Sequence, residues 1–265
     1  MVHSKKLDET AIWKEYEKKA GAGSERCIWV KDVYEYAANY LKDVRRTFEN
    51  YTLHDETHIL NVLDAMGGLL GDQISNLTVG ELELLILVAS LHDVGMVYTE
   101  EEKKEQYEDT ATCKNFLREY YPEFLGSPAE EWTEDMQQRY LRELHSKRVA
   151  DVLNNKEWNE LISKCPMEIV SQECIITVCE AHGYNMSEII GNHNLDYLHA
   201  NDVSPLFCAL LLRLGDLLDF DDTRAPQVLY SYVECNEKSR EEWKKHQASA
   251  GFSYPASPTT QALPY

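Results

Sequence analysis

The sequence predicts an all-α fold. Apolar residues recur at helical spacing along most of the chain, as at Ile59, Val62, Leu63 and Met66. Several of these runs open on helix-capping residues and close on glycine. Strand-like composition appears only after Arg224. The predicted architecture is therefore a bundle of helices, with a small mixed or β-containing appendage at the carboxyl end.

Residues 7–20 form the first amphipathic segment, and Gly21–Ser24 punctuate it. VYEYAANYLKDVRRTF, residues 33–48, is the second helical run. HDETHILNVLDAMGGLL, residues 54–70, is the third, with Gly67, Gly68 and Gly71 read as its end. Thr78 and Glu81 have the spacing of a capping box for ELELLILVASLHD, which Gly95 terminates. YEDTATCKNFLREYY precedes Pro122, and MQQRYLRELHSKRVADVLN carries His145 with Leu141, Leu144 and Val149 on a buried side. After Pro166, MEIVSQECIITVCEAHG runs to His182 and Gly183. SPLFCALLLRLGDLLDF has Ser204 as cap and Pro205 at the first helical position. Beyond it, QVLYSYVEC reads as a strand, SREEWKKH as helix and GFSYPASPTTQALPY as strand or coil. These features divide the chain into a helical domain over residues 1–225 and an extension over 226–265. The extension is either an ordinary carboxyl-terminal segment or the start of a module in a longer protein.

A formal net charge of −20 argues against nonspecific binding to DNA or RNA. Charged residues break every long apolar stretch, and the amino terminus has no continuous apolar core, so neither a membrane span nor a secretory leader is expected. The seven cysteines fall mostly on apolar faces without the spacing of a zinc knuckle. They read as reduced core residues of a cytoplasmic protein with no catalytic role.

The chemistry lies at the ends of two apolar runs, LELLILVASLHDVG and LFCALLLRLGDLLD, which carry Asp93 and Asp216. An ionised carboxylate in such a setting costs several kcal/mol unless it is paired. His92 adjoins Asp93, and His58, His145 and His182 supply further imidazoles. A lone internal histidine is more often structural than a ligand, and one HD dipeptide says little. Four histidines and two carboxylates in the order H…HD…H…H…D, at separations of 34, 53, 37 and 34 residues, make a joint pattern that a divalent metal cluster would satisfy. His58, His92, Asp93, His145, His182 and Asp216 are thus the predicted ligands of two divalent ions. Mixed nitrogen and carboxylate donors suit manganese or iron first, with zinc or magnesium as alternatives. Such ions would activate water and stabilise charge on a phosphoryl oxygen, with Asp93 at the centre of the chemistry. His54 lies four residues before His58, on the same helical face. It is read as a further ligand, a substrate donor, a general acid or a structural histidine at the helix start. Arg142, Lys147, Arg148, Arg213 and Arg224 are the phosphate-binding candidates.

These residues resemble the HD superfamily of metal-dependent phosphohydrolases. THILNV at 57–62 is similar to its first histidine motif, LHDVG at 91–95 to its namesake motif and LGDLLD at 214–219 to its final aspartate motif. The resemblance covers about residues 45–225. It implies that His58, His92, Asp93 and Asp216 bind a first metal. It also implies that His145 and His182 complete a binuclear site, as in branches that include cyclic-dinucleotide phosphodiesterases. YTLHDETH is similar to the arrangement in which a substrate-facing histidine precedes the metal histidine by four residues, which gives His54 the role of general acid or donor. Met96 after LHDVG, and AHGYN in place of the paired histidines and GYP of the cyclic-dinucleotide branch, depart from that branch and speak against cyclic di-GMP as substrate. SREEWKKH resembles a segment of HD proteins fused to chaperone-like ATPase modules, which implies an effector or ATPase partner beyond Tyr265. The expected activity is hydrolysis of a phosphoester or phosphoanhydride in a nucleotide-like substrate. The alternative is a metal-supported nucleotide sensor or effector domain with little turnover.

Overall fold

The structure is a computed structural model describing residues 6–49, 51, 54–108, 110–166, 169–199, 201–219, 240–241, 244–246 and 248. Among these residues the fold is all-α: helices of both α and 3-10 type, with a single isolated bridge between Leu198 and Val203.

Side-chain caps explain most of the helix starts. Thr10 accepts from the Trp13 amide and opens α1 (Ala11–Ala20), and Ser24 accepts from Cys27 and opens α2 (Glu25–Tyr40). The second helix therefore begins at Glu25, eight residues before the predicted Val33, and its cap Ser24 belongs to the Gly21–Ser24 punctuation. Asp55 caps α3 (Glu56–Leu70) through the Thr57 amide. Gly67 and Gly68 lie inside this helix rather than at its end, and Gly71 (φ 51°) is its C-cap. Gly67 faces α1: a Cβ there would lie 3.4 Å from the Cβ of Ala11. Thr78 and Glu81 form the predicted capping box of α4 (Val79–Leu91). A 3-10 turn, Val94–Met96, follows it.

The acidic stretch after Tyr98 contains a short helix, α5 (Glu100–Gln106), opened by a second capping box from Thr99 and Glu102. Next come α6 (Ala111–Tyr120), the long α7 (Glu134–Leu153) and α8 (Lys156–Ile162), the last in a stretch where the sequence predicts no element. Asn155 caps α8, Ser171 caps α9 (Gln172–Ala181) and Asn185 caps α10 (Met186–Ile190). Ser204 and Pro205 open α11 (Pro205–Leu218) as expected.

Helix α4 is apolar on every face, the mark of a core helix. α1, α2, α3, α9 and α11 pack round it, and α3 and α11 lie along each other. Its one buried acid, Glu83, is matched by Arg26 (Nη2 to Oε1 2.7 Å) and by the Tyr16 hydroxyl (2.7 Å). That buried carboxylate is therefore satisfied structurally. α7 packs against α9 and the turn at Val94–Met96. Leu141 and Val149 are buried as predicted, whereas Leu144 is half-buried against a smaller aromatic cluster of Phe116, Trp132, Met136 and Tyr140. Cys27, Cys113, Cys174, Cys179 and Cys208 are buried in the core. Among the described residues no single helix is long and apolar enough to cross a membrane. The strand-like segments at 227–235 and 251–265, and the boundary after residue 225, fall outside the described residues; within SREEWKKH, Arg240–Glu241 and Lys244–His246 are helical.

Candidate metal centre

Five helices deliver the six predicted ligands to one place. His58 is the third residue of α3, His92 caps the carboxyl end of α4 and Asp93 follows it. Asp93 has φ −99° and ψ 1°, a sparsely populated backbone region common at active sites. His145 lies within α7, His182 is the C-cap of α9, and Asp216 is in the last turn of α11.

The histidines are paired through Nε2. His58 and His92 approach to 3.1 Å, and His145 and His182 to 2.8 Å. Asp93 stands between the pairs and gives one oxygen to each. Its Oδ2 lies 3.2 Å from His58 Nε2 and 3.4 Å from His92 Nε2, and its Oδ1 lies 3.5 Å from His145 Nε2 and 3.9 Å from His182 Nε2. Asp216 joins the first pair, its Oδ1 being 3.6 Å from His58 and 3.9 Å from His92. The donor atoms of His58, His92 and Asp93 all fall within 4.8 Å of one another, and so do those of Asp93, His145 and His182.

The far side of each ring fixes its tautomer. His92 Nδ1 donates to the Ala89 carbonyl (3.0 Å), His145 Nδ1 to Arg142 (2.5 Å), and His182 Nδ1 to Cys179. His58 Nδ1 donates to Asp219 Oδ2 at 2.5 Å. Carbonyl and carboxylate oxygens only accept here, so each Nδ1 carries a proton, and in a neutral ring Nε2 presents its lone pair to its partner. Two facing lone pairs about 3 Å apart repel unless a proton or a cation lies between them. Burial pushes His145 down to about 4 and also lowers His182, so near neutral pH that pair lacks the bridging proton. Burial would raise Asp93, but the imidazoles of His92, His58 and His54 outweigh it and hold the carboxyl well below its usual range. Asp216 is likewise lowered, with His92 and His58 prevailing over burial. The His145–His182 pair thus offers neutral nitrogens, and Asp93 and Asp216 offer ionised oxygens. With metal–nitrogen bonds of about 2.1 Å, adjacent ligands at right angles would be about 3.0 Å apart, close to both nitrogen–nitrogen separations. The residues fit divalent cations.

The fold and this cluster define an HD-type domain with a His/Asp site suited to metal. The HD-CE family model matches residues 48–264, and the chain belongs to that family. No curated protein and no solved structure matches it.

Other predicted residues are placed differently. His54 is buried beside the cluster, its ring centroid 5.5 Å from that of His58. Asp55, the acid of the second HD dipeptide, serves as a helix cap. Arg148 points away from the cluster, contrary to its reading as a phosphate contact. Its guanidinium is buried over the Tyr98 ring and donates to the carbonyls of Gly95 (2.6 Å) and Val97 (2.9 Å) and to Glu102 (2.9 Å). It braces the turn after Asp93 against α7. Arg213 donates to the His182 carbonyl, and Arg142 is exposed with its guanidinium 5.1 Å from the Tyr51 ring. Lys147 is exposed on the side of α7 that meets Glu180, and Arg224 lies outside the described residues.

Sequence reasoning missed Asp219 and Asn61. Asn61 Nδ2 donates to Asp219 Oδ1 at 2.9 Å, while the other oxygen holds His58. The available signal was spacing: Asp219 follows Asp216 by three residues, and Asn61 follows His58 by three.

Proposed function

We propose that this HD-CE protein is a metal-dependent phosphohydrolase that holds two divalent cations and cleaves a phosphoester or phosphoanhydride in a nucleotide-like substrate. The observation that carries the reading is the division of Asp93. One of its oxygens faces each pair of Nε2 lone pairs, the arrangement expected of a carboxylate shared by two cations. His58, His92, Asp93 and Asp216 would hold one ion, and Asp93, His145 and His182 the other, manganese or iron being the preferred metals. Cations bound there would stabilise charge on a phosphoryl oxygen and lower the pKa of water in the site.

The chain's own groups supply the rest. The Nδ1 ties keep all four imidazoles in one tautomer and one orientation, so the donor set needs little rearrangement. His54, buried beside His58, is the residue we assign to protonating the leaving oxygen. Arg142 and Lys147, exposed on the helix that carries His145, are assigned to further phosphates of the substrate. The nucleotide-like class rests on the resemblance of the histidine and aspartate motifs to those of HD phosphohydrolases.

The test is a hydrolysis screen of manganese- and iron-loaded protein over generic phosphodiesters and a nucleotide panel, with products identified. Hydrolysis that disappears on chelation and returns with metal is expected. A fully loaded protein that binds nucleotides without turning any over would assign the domain as a sensor instead.

A further inference from the structure

The two halves of the cluster differ in charge and in the ties behind their rings. Asp93 Oδ2 and Asp216 Oδ1 both serve His58 and His92, whereas Asp93 Oδ1 is the carboxylate oxygen beside His145 and His182. His92, His145 and His182 each donate Nδ1–H to the carbonyl three residues earlier on their own helix. His58 is tied differently. The residue three before it is the N-cap Asp55, whose carbonyl accepts from the Ile59 amide.

The His58 tie comes instead from the end of α11. Asp219 Oδ2 accepts from Nδ1 at 2.5 Å, both side chains are fully enclosed, and Asn61 holds the other oxygen. A carboxylate behind a ligating imidazole raises the basicity of the far nitrogen more than a neutral carbonyl does. α11 therefore addresses His58 twice, with Asp216 beside Nε2 and Asp219 behind Nδ1. Close packing of α11 on α3 makes this reach available. A Cβ at Gly215 would meet Met66 Cγ at 2.7 Å and the Val62 carbonyl at 3.1 Å, so only glycine fits there without displacement.

We propose that Asp219 is a positioning residue for cation binding, and that its tie to His58 makes the His58–His92–Asp216 half the tighter of two unequal sites. This rests on the two-cation reading above. The full chain, stripped with chelator, is titrated with manganese chloride while free manganese is followed by electron paramagnetic resonance, for wild type, Asp219→Asn and Asp219→Ala. Uptake in two steps is expected. Asparagine keeps a neutral acceptor and should weaken the tighter step about 10-fold, alanine up to about 100-fold, with the weaker step changed by less than about twofold. General damage to the fold would instead weaken both steps. Nitrogen-15 histidine spectra of the stripped wild type supply a measurement that needs no variant: His58 should carry its proton on Nδ1, in a strong hydrogen bond. A tighter step indifferent to Asp219→Asn, a parallel loss in both steps, uptake in equivalent steps, or a His58 protonated on Nε2 would each overturn the inference alone. A wild-type chain that takes up no manganese would overturn the functional reading and this inference with it.

Discussion

Replacing Gly95 by alanine should separate the halves of the metal centre. The added Cβ would lie 1.9 Å from the His145 carbonyl oxygen, 2.9 Å from its carbon and 3.2 Å from Arg148 Cβ. Contacts under 3.0 Å are not tolerated, so α7 must retreat by at least about 1.1 Å. The obstacle is helix backbone and has no rotamer through which to yield. The retreat also stretches the hydrogen bonds from Arg148 to Gly95 and Val97. Overpacking of this kind costs about 1–3 kcal/mol. At about 2–4 °C per kcal/mol for a chain of this size, the melting temperature in chelator should fall by roughly 2–12 °C. His145 would move relative to Asp93 Oδ1, now 3.5 Å from its Nε2. A misplacement on the order of 1 Å costs about 10²-fold in rate. Manganese titration should show the His145–His182 half failing first while the His58–His92 half still loads. Thermal melts, the titration and steady-state hydrolysis measure all three effects. An alanine variant with wild-type melting and unchanged uptake in both halves would refute the reasoning.

Asp93→Asn should remove most turnover and weaken both steps of manganese uptake, because each oxygen faces one half of the cluster; wild-type uptake and rate would contradict this. His54→Ala should retain metal yet slow substrates with poor leaving groups by about 10²–10⁴-fold while sparing good ones. Equal defects across a matched leaving-group series would reject the proton-donor role. Arg148→Met should leave the Gly95 and Val97 carbonyls without their donor and cost about 1–3 kcal/mol, read as a fall in melting temperature. An undiminished melting temperature with a raised KM would restore Arg148 to the substrate. Chelator-treated protein should lose stability as pH falls from about 6.5 toward 4. Folded His145 stays neutral to about 4, whereas an unfolded imidazole takes its proton near 6.5, so acid favours the unfolded chain. Denaturant melts across that range check the direction.

The signals that proved legible in the sequence were local ones. Thr78 with Glu81 and Ser204 with Pro205 opened helices where their chemistry required. The six polar residues that meet at the cluster stood out as a set, because Asp93 and Asp216 end apolar runs and the four histidines complete a joint order. Contacts between elements were not legible. Gly67 looked like a terminator because nothing in its neighbourhood of sequence reveals that α1 presses on it. Arg148 looked like a phosphate contact because it sits three residues from His145, yet its long side chain turns to the backbone beyond Asp93. Asp219 carried no assignment from the sequence, since its partner is 161 residues away.

That separation bears on the order in which the centre is assembled during folding. Three of the four imidazoles are set by a carbonyl three residues back, so their tautomer is fixed as soon as one helical turn forms, a sub-microsecond event. The fourth waits for a contact of high sequence separation, which brings α3 and α11 together against loop-closure entropy. Three of the ligands thus need only local structure to be set, whereas the last needs α11 docked on α3. A nascent or partly folded chain would hold an incomplete set of donors, and full affinity for cations would report that the core has closed.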